Sequence, residues 1–410
     1  MKRVALSSTA MLAALLMPGC GGGSSGGGTV SGGTPTPSPT VTPSPTPTPT
    51  PSPAGVLPYS ASIRVAFVGA SITQGAEGNS WLWSSQTAAW LRAQYRGVEV
   101  RDLALSSTNS QFGTYRIEGD LGSFVPDLAL VEFAVNDFPE SEAFRIAYTD
   151  ALIYKLRRAN PNVVIVYVAA ANALDGTTRL TGGTPAHIRQ IRDVVQRNSA
   201  HFVDAGIPLW DQVRTSGGSV FTYLPDGIHP NEAGSNLYFG AVRDGLAAYL
   251  PVARSGPTTT SYIAQSNLQD ARLLPASAAT ATGCTIGNQS SQNSYRLFAQ
   301  AMTCQGGNSF TVDFTGTSIG FAYGIGRDTG SMDCRVDNNT ARPITLYDGK
   351  FVGPGLFLLH QLSFTGLSDG AHRLSCTVST TRPTANGATS AGTRAVIAGF
   401  AVSRERPVAP

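Results

Sequence analysis

Four short stretches of the 410-residue chain carry side chains that could do chemistry together. Ser71 lies in VGASITQG, just behind a glycine and at the end of an apolar run. A serine hydroxyl is a poor nucleophile until a base takes its proton. YLPDGIHPNEAG offers such a base, with Asp226 three residues before His229. An imidazole titrates in the useful range, and a carboxylate beside it fixes its tautomer and stabilises its cation. Asn136, in LALVEFAVND, adds an amide donor, and SSTNSQFG, starting at Ser106, adds a polar turn. Nucleophile, base, orienting acid and oxyanion donor form the set that acyl transfer requires. Each also has a plainer reading: a common Gly-x-Ser turn, a helix cap followed by a surface histidine, a strand-end asparagine. Their joint occurrence favours a hydrolytic site.

The elements around them support that reading. IRVAFVG (63–69), VEVRDLAL (98–105), LALVEFAV (128–135) and VVIVYVAA (163–170) read as buried strands. SWLWSSQTAAWLRAQY, SEAFRIAYTDALIYKLRRA and PAHIRQIRDVVQRNSA read as helices between them, and a last helix follows His229, with Pro230 in its first turn. Continuous Val/Ile-rich strands alternating with helices imply a parallel sheet covered on both faces. Such sheets bind ligands at the carboxyl ends of their strands, where Ser71, the 106–113 turn and Asn136 fall.

Over roughly residues 62–250 this arrangement resembles the SGNH (GDSL-like) hydrolase family. Ser71 takes the nucleophile's place in the first block, where Ala70 replaces the family's Asp. Ala134-Val135-Asn136-Asp137 matches Gly-x-Asn-Asp, with Asn136 as oxyanion donor and alanine for glycine. Asp226-Gly-Ile-His229 matches Asp-x-x-His without change. The second block normally has an oxyanion glycine; Ser107 is the equivalent taken here, with Ala104 the other candidate. The resemblance implies a three-layer α/β/α flavodoxin-like domain with a mainly parallel sheet. It also implies an oxyanion hole built from Ser71, Ser107 and Asn136, and no metal or cofactor.

Other polar residues read as structural. His187 and His201 lie in or beside a helix, and Glu132 and Asp137 read as supporting residues. Arg116 reads as solvated or paired, with substrate contact the alternative. Trp81, Trp83 and Trp90 read as packing against the sheet, the alternative for Trp81 and Trp83 being a sugar platform in the cleft.

The remaining features concern location. Formal charge is +3, from 29 basic and 26 acidic residues, which argues against a nucleic-acid partner. Charged residues make up only 13%, about half the usual share, and none lies between Arg3 and Arg64. Residues 1–19 read as a secretory signal peptide with an apolar run from Val4 to Met17, too short for a permanent span. Gly19-Cys20 resembles a bacterial lipobox, with Cys20 as the lipidation site and a membrane anchor, plain secretion being the alternative. Residues 20–56 form a linker, Gly/Ser-rich and then Pro/Thr-rich. Its 20 residues from Thr34 to Pro53 reach roughly 60 Å as a polyproline rod. The hydrolase domain is assigned to 57–252.

From 256 to 410, short strands separated by Gly/Asp/Asn turns argue a β-sandwich, jelly-roll-like, resembling modules attached to extracellular glycan-active enzymes. It contains no tryptophan, and sugar binding and a structural or docking role stand side by side. Cys284, Cys304, Cys334 and Cys376 all lie here. In an exported chain they favour two disulfides. A cross-strand Cys334–Cys376 bond, leaving Cys284 with Cys304, is one of three possible pairings. Lone His360 and His372, without Cys-x-x-Cys, do not make a zinc site.

Three functions fit: an esterase removing acetyl or other short acyl groups from a cell-envelope or extracellular polysaccharide or a small ester; an O-acyltransferase using the same triad; and a non-catalytic binding protein on a hydrolase scaffold. Intact Ser71, Asp226 and His229 argue against the third.

Overall fold

The computed structural model describes residues 62–404 apart from 79–80, 251–267, 294, 351–352 and 354. The proposed signal peptide, Cys20 and the linker lie outside the described residues.

The first region is a five-stranded parallel sheet of β1 (Ser62–Gly69), β2 (Gly97–Asp102), β3 (Leu128–Glu132), β4 (Val164–Ala169) and β5 (His201–Asp204), in the order β2-β1-β3-β4-β5. Strand alternation divides the core. Val65, Phe67, Leu130 and Val166 face α1 (Trp83–Gln94), α6 (Gly206–Ser216) and α7 (Glu232–Tyr249) through Trp83, Trp210 and Tyr238. Ala66, Val68, Val131 and Ile165 face α2 (Ser110–Leu121), α3 (Glu142–Ala159) and α5 (Ala186–Arg197) through Ile117, Leu156 and Ile188. A single turn, α4 (Gly176–Arg179), precedes α5. This is the three-layer α/β/α fold with flavodoxin-like strand order. Four elements of this region lie beyond the sequence reading: β5, four residues long; α2, whose pattern Gly113 and Gly119 interrupt; the single turn α4; and α6. Pro230 does not enter α7: Asn231 caps that helix by accepting from the Gly234 amide, so the proline stands one residue before the cap.

The second region is an antiparallel β-sandwich. One sheet runs in the order β13 (Arg342–Thr345), β12 (Ser331–Val336), β15 (Gly370–Val378), β10 (Ser309–Gly316), β7 (Thr280–Thr282). The other runs β14 (Phe357–Phe364), β11 (Ser318–Ile325), β18 (Ala395–Ser403), β9 (Ala301–Cys304), β8 (Thr285–Gly287), with β6 (Arg272–Pro275) also on β18. A small hairpin, β16 (Thr384–Ala385) and β17 (Ala388–Thr389), stands apart. Phe310, Val312, Phe321, Leu374 and Phe400 fill the space between the sheets. Cys284 bonds Cys304, and Cys334 bonds Cys376 directly across β12 and β15.

The sandwich packs directly on the α/β region. Leu105 and Phe112 share an apolar cluster with Phe298, Leu356, Leu358 and Val396, and Tyr115 and Tyr148 share another with Leu268 and Ala401. Tyr115 Oη donates to Ser403 Oγ at 2.9 Å. The buried Lys155 ammonium donates to Glu118 and to the Ala271 carbonyl. No helix among the described residues is long and apolar enough to cross a membrane.

Candidate active site

The chain leaves β1 through Gly69 and turns at Ala70-Ser71, whose close is marked by Thr73 and Gln74 amides donating to the Ala70 carbonyl at 3.1 and 3.0 Å. Gly69 is required for space: a Cβ there would lie 2.7 Å from the Glu132 carbonyl and 2.6 Å from Thr73 Oγ1. Below the turn, Thr73 Oγ1 donates to the buried Glu132 carboxyl at 3.1 Å. Burial pushes that carboxyl up to about 8.

The turn brings Ser71 Oγ to 2.8 Å from His229 Nε2. His229 Nδ1 stands 2.6 Å from Asp226 Oδ2, while Asp226 Oδ1 accepts from the Ile228 and His229 amides at 2.9 and 2.7 Å. Partial burial alone would raise the Asp226 carboxyl; the bonds from His229 and the two amides outweigh it and hold it below its ordinary value. Gly227 takes φ +83°, a left-handed conformation that favours glycine, and its carbonyl accepts from the Ala173 amide beyond β4 at 2.9 Å. Side chains of Asp226 and His229 are 56% and 41% exposed, so the site opens to solvent.

The two remaining oxyanion candidates lie after β2 and β3. Ser107 has φ +64°, the backbone a glycine adopts most readily. The Ala104 amide is already committed to Asp102 Oδ1 at 3.0 Å. Asn136 is half-buried, and its side chain has no hydrogen-bond partner among the described residues. Its neighbour Asp137 is buried, accepts the Ser110 amide at the start of α2 at 3.0 Å, and is pushed up to about 7 by burial.

Asp102 was not anticipated. Its Oδ2 accepts the Gly75 and Ala76 amides at 2.6 and 3.1 Å, so it ties the segment after Ser71 to the end of β2. Only its position at a strand's carboxyl end hints at this.

The other weighed residues stand away from this constellation. Arg116 is buried and paired with Asp120, and donates to the carbonyls of Leu103 at 2.6 Å and Gly69 at 3.4 Å. Trp83 is fully buried and donates to the Ile72 carbonyl at 2.9 Å, which excludes it as a platform. His187 meets Phe138 edge-on; His201 opens β5 and stacks on Tyr249; His360 stacks on Phe112; His372 pairs with Asp337. No cluster of metal-binding side chains occurs among the described residues.

Residues 67–237 match the model of the GDSL-like Lipase/Acylhydrolase family. They form a GDSL-like lipase/acylhydrolase domain. The chain is accordingly a carboxylic ester hydrolase. No curated protein matches the sequence significantly. Among solved structures, the GDSL-like domain and sandwich together are similar to a two-domain esterase active on acetylated mannans. Identity is 18%, coverage is 85% of this chain and 92% of that one, and the TM-score is 0.69. The same esterase co-crystallized with mannopentaose gives a TM-score of 0.66 at the same identity and coverage. The similarity extends the shared fold across both regions. An acetylxylan esterase from Geobacillus stearothermophilus is 18% identical, covering 46% of this chain and 96% of that one, with a TM-score of 0.38.

Proposed function

We propose that the protein is an exported serine esterase that removes acetyl or other short acyl groups from a polysaccharide. The carrying observation is the unbroken series from Asp226 Oδ2 to His229 Nδ1 at 2.6 Å and from His229 Nε2 to Ser71 Oγ at 2.8 Å. In this reading His229 Nε2 takes the hydroxyl proton as Ser71 Oγ attacks the acyl carbon. Asp226 keeps Nδ1 protonated and balances the imidazolium. The developing oxyanion is met by the amides of Ser71 and Ser107 and by the Asn136 side chain. His229 then gives that proton to the departing sugar oxygen, which leaves as a free hydroxyl, and water repeats the sequence on the acyl-enzyme. The chemistry needs neither metal nor organic cofactor.

The polymeric substrate is supported by the open site, by the long linker and by similarity to an esterase active on acetylated mannans. Export is supported by the leader composition and by two disulfides, which persist in oxidising compartments. Lipidation of Cys20 would hold the enzyme at the cell envelope, with the linker as spacer. The test is p-nitrophenyl acetate hydrolysis by the wild type with Ser71→Ala alongside. Ser71-dependent turnover is expected, and activity that survives the substitution rejects the triad.

A further inference from the structure

The turn at Ser106–Ser107 is where the β-sandwich reaches the proposed site. Ser107 holds a left-handed φ of +64°, which an L-residue keeps only when its surroundings impose it. The Ser106 amide donates to Gln74 Oε1 at 2.9 Å. Gln74 Nε2 in turn donates to the Asn293 carbonyl at 3.4 Å, and Asn293 Nδ2 donates to the Ser106 carbonyl at 3.4 Å. Both links across the interface are long, so each is weak alone, but they grip the turn from either side.

Asn293 is itself fixed. It is 4% exposed, and its Oδ1 accepts from the Leu358 amide of β14 at 3.1 Å and from Ser291 Oγ at 2.6 Å. Its Nδ2 also donates to the Leu358 carbonyl at 3.2 Å. A buried asparagine so clamped to one sheet offers a stiff donor to the neighbouring turn. Adhesion between the two regions does not require it, since the apolar cluster around Phe112 and Leu358 and the ion pair of Asp120 with Arg296 already supply that.

We propose that Asn293 is a positioning residue for ester hydrolysis: from the β-sandwich, directly and through Gln74, it holds the Ser106–Ser107 turn so that the Ser107 amide faces the oxyanion. The sandwich is then a working part of the active site as well as a companion domain. This role rests on the function proposed for that turn.

The test measures kcat and KM for p-nitrophenyl acetate in the full chain, per active site titrated with a fluorophosphonate, or per mole of folded protein for Ser71→Ala, which has no serine to titrate. The variants are Asn293→Ala, Gln74→Ala, Ser71→Ala, and Asn293→Ala combined with Ser107→Gly. Asn293→Ala is expected to lower kcat ~10- to 100-fold with little change in KM, because a small ester touches neither residue. Glycine at 107 adopts the left-handed backbone freely, so the double variant should regain most of the loss. Gln74→Ala, which leaves the sandwich interior untouched, should lower kcat in the same sense and serves if Asn293→Ala does not fold. Unchanged kcat in both single variants with Ser71-dependent wild-type turnover overturns the positioning role alone, as does a loss that glycine at 107 does not relieve. Wild-type turnover independent of Ser71 overturns the proposed function and this role with it.

Discussion

Asp226→Asn is the sharpest probe of the proposed triad. Asparagine keeps the size, and its carbonyl oxygen can still accept the Ile228 and His229 amides that now reach Oδ1 at 2.9 and 2.7 Å. Its NH2 would then face His229 Nδ1, a donor where an acceptor stands now at 2.6 Å. The imidazole would adopt the tautomer with its proton on Nε2, toward Ser71 Oγ, and could not take up the hydroxyl proton. The imidazolium also loses its counter-charge. Unit charges ~4 Å apart interact by about 1 kcal/mol in water and about 4 kcal/mol near a protein surface. With the Asp226 side chain 56% exposed, a value of ~2 kcal/mol is appropriate, or about 30-fold in rate. The tautomer change brings the expected loss in kcat to ~100- to 1000-fold. That is smaller than the ~10,000-fold seen for a buried triad aspartate in serine proteases. The assay is steady-state p-nitrophenyl acetate hydrolysis with Ser71→Ala as the floor. A loss below about threefold would show that Asp226 neither orients nor charges the base, and would refute this reasoning.

Three further outcomes follow from the same geometry. Asn136→Ala should lower kcat ~100- to 1000-fold while the melting temperature stays near that of the wild type, because its half-buried amide has no protein partner among the described residues to lose. Glu132, pushed from 4.5 up to about 8, binds its proton more tightly folded than unfolded, so it makes stability fall as pH rises between those values. Glu132→Gln should therefore flatten the decline in melting temperature across that window, as thermal scans at stepped pH would record. Replacing Cys334 and Cys376 by alanine opens a bond spanning 42 residues and should cost ~2–4 kcal/mol in urea unfolding, with reductant costing the wild type more because it also opens Cys284–Cys304.

Much of the candidate site is legible in the sequence because the proposed chemistry restricts residue type and its turns restrict spacing. Asp226 and His229 sit three apart since one short turn must present a carboxylate to an imidazole. Gly69 stands two residues before Ser71 since no Cβ fits there between Thr73 and the Glu132 carbonyl. Buried strands such as LALVE and VIVYVA declare themselves by continuous apolar content. The rest depends on partners distant along the chain. HFVD is too short to show a period, and α2 carries two glycines, so tertiary packing decides both. Asp102 looks like an ordinary charged strand end until the Gly75 and Ala76 amides meet it. Trp83 as platform or core is decided by the sheet behind it. The docking of the sandwich was hidden for the same reason: Phe112 and Leu358, or Ser106 and Asn293, carry no local mark that they will meet.

The central claim is that Ser71 is acylated by an acetylated glycan. Brief reaction with acetylated mannan, an acid quench and mass spectrometry of the digested protein test it directly. The peptide containing Ser71 is predicted to gain the mass of one acetyl group, with acetate appearing in solution and neither signal in Ser71→Ala. Acetate release by a wild type that never acetylates Ser71, or by Ser71→Ala itself, would contradict the account.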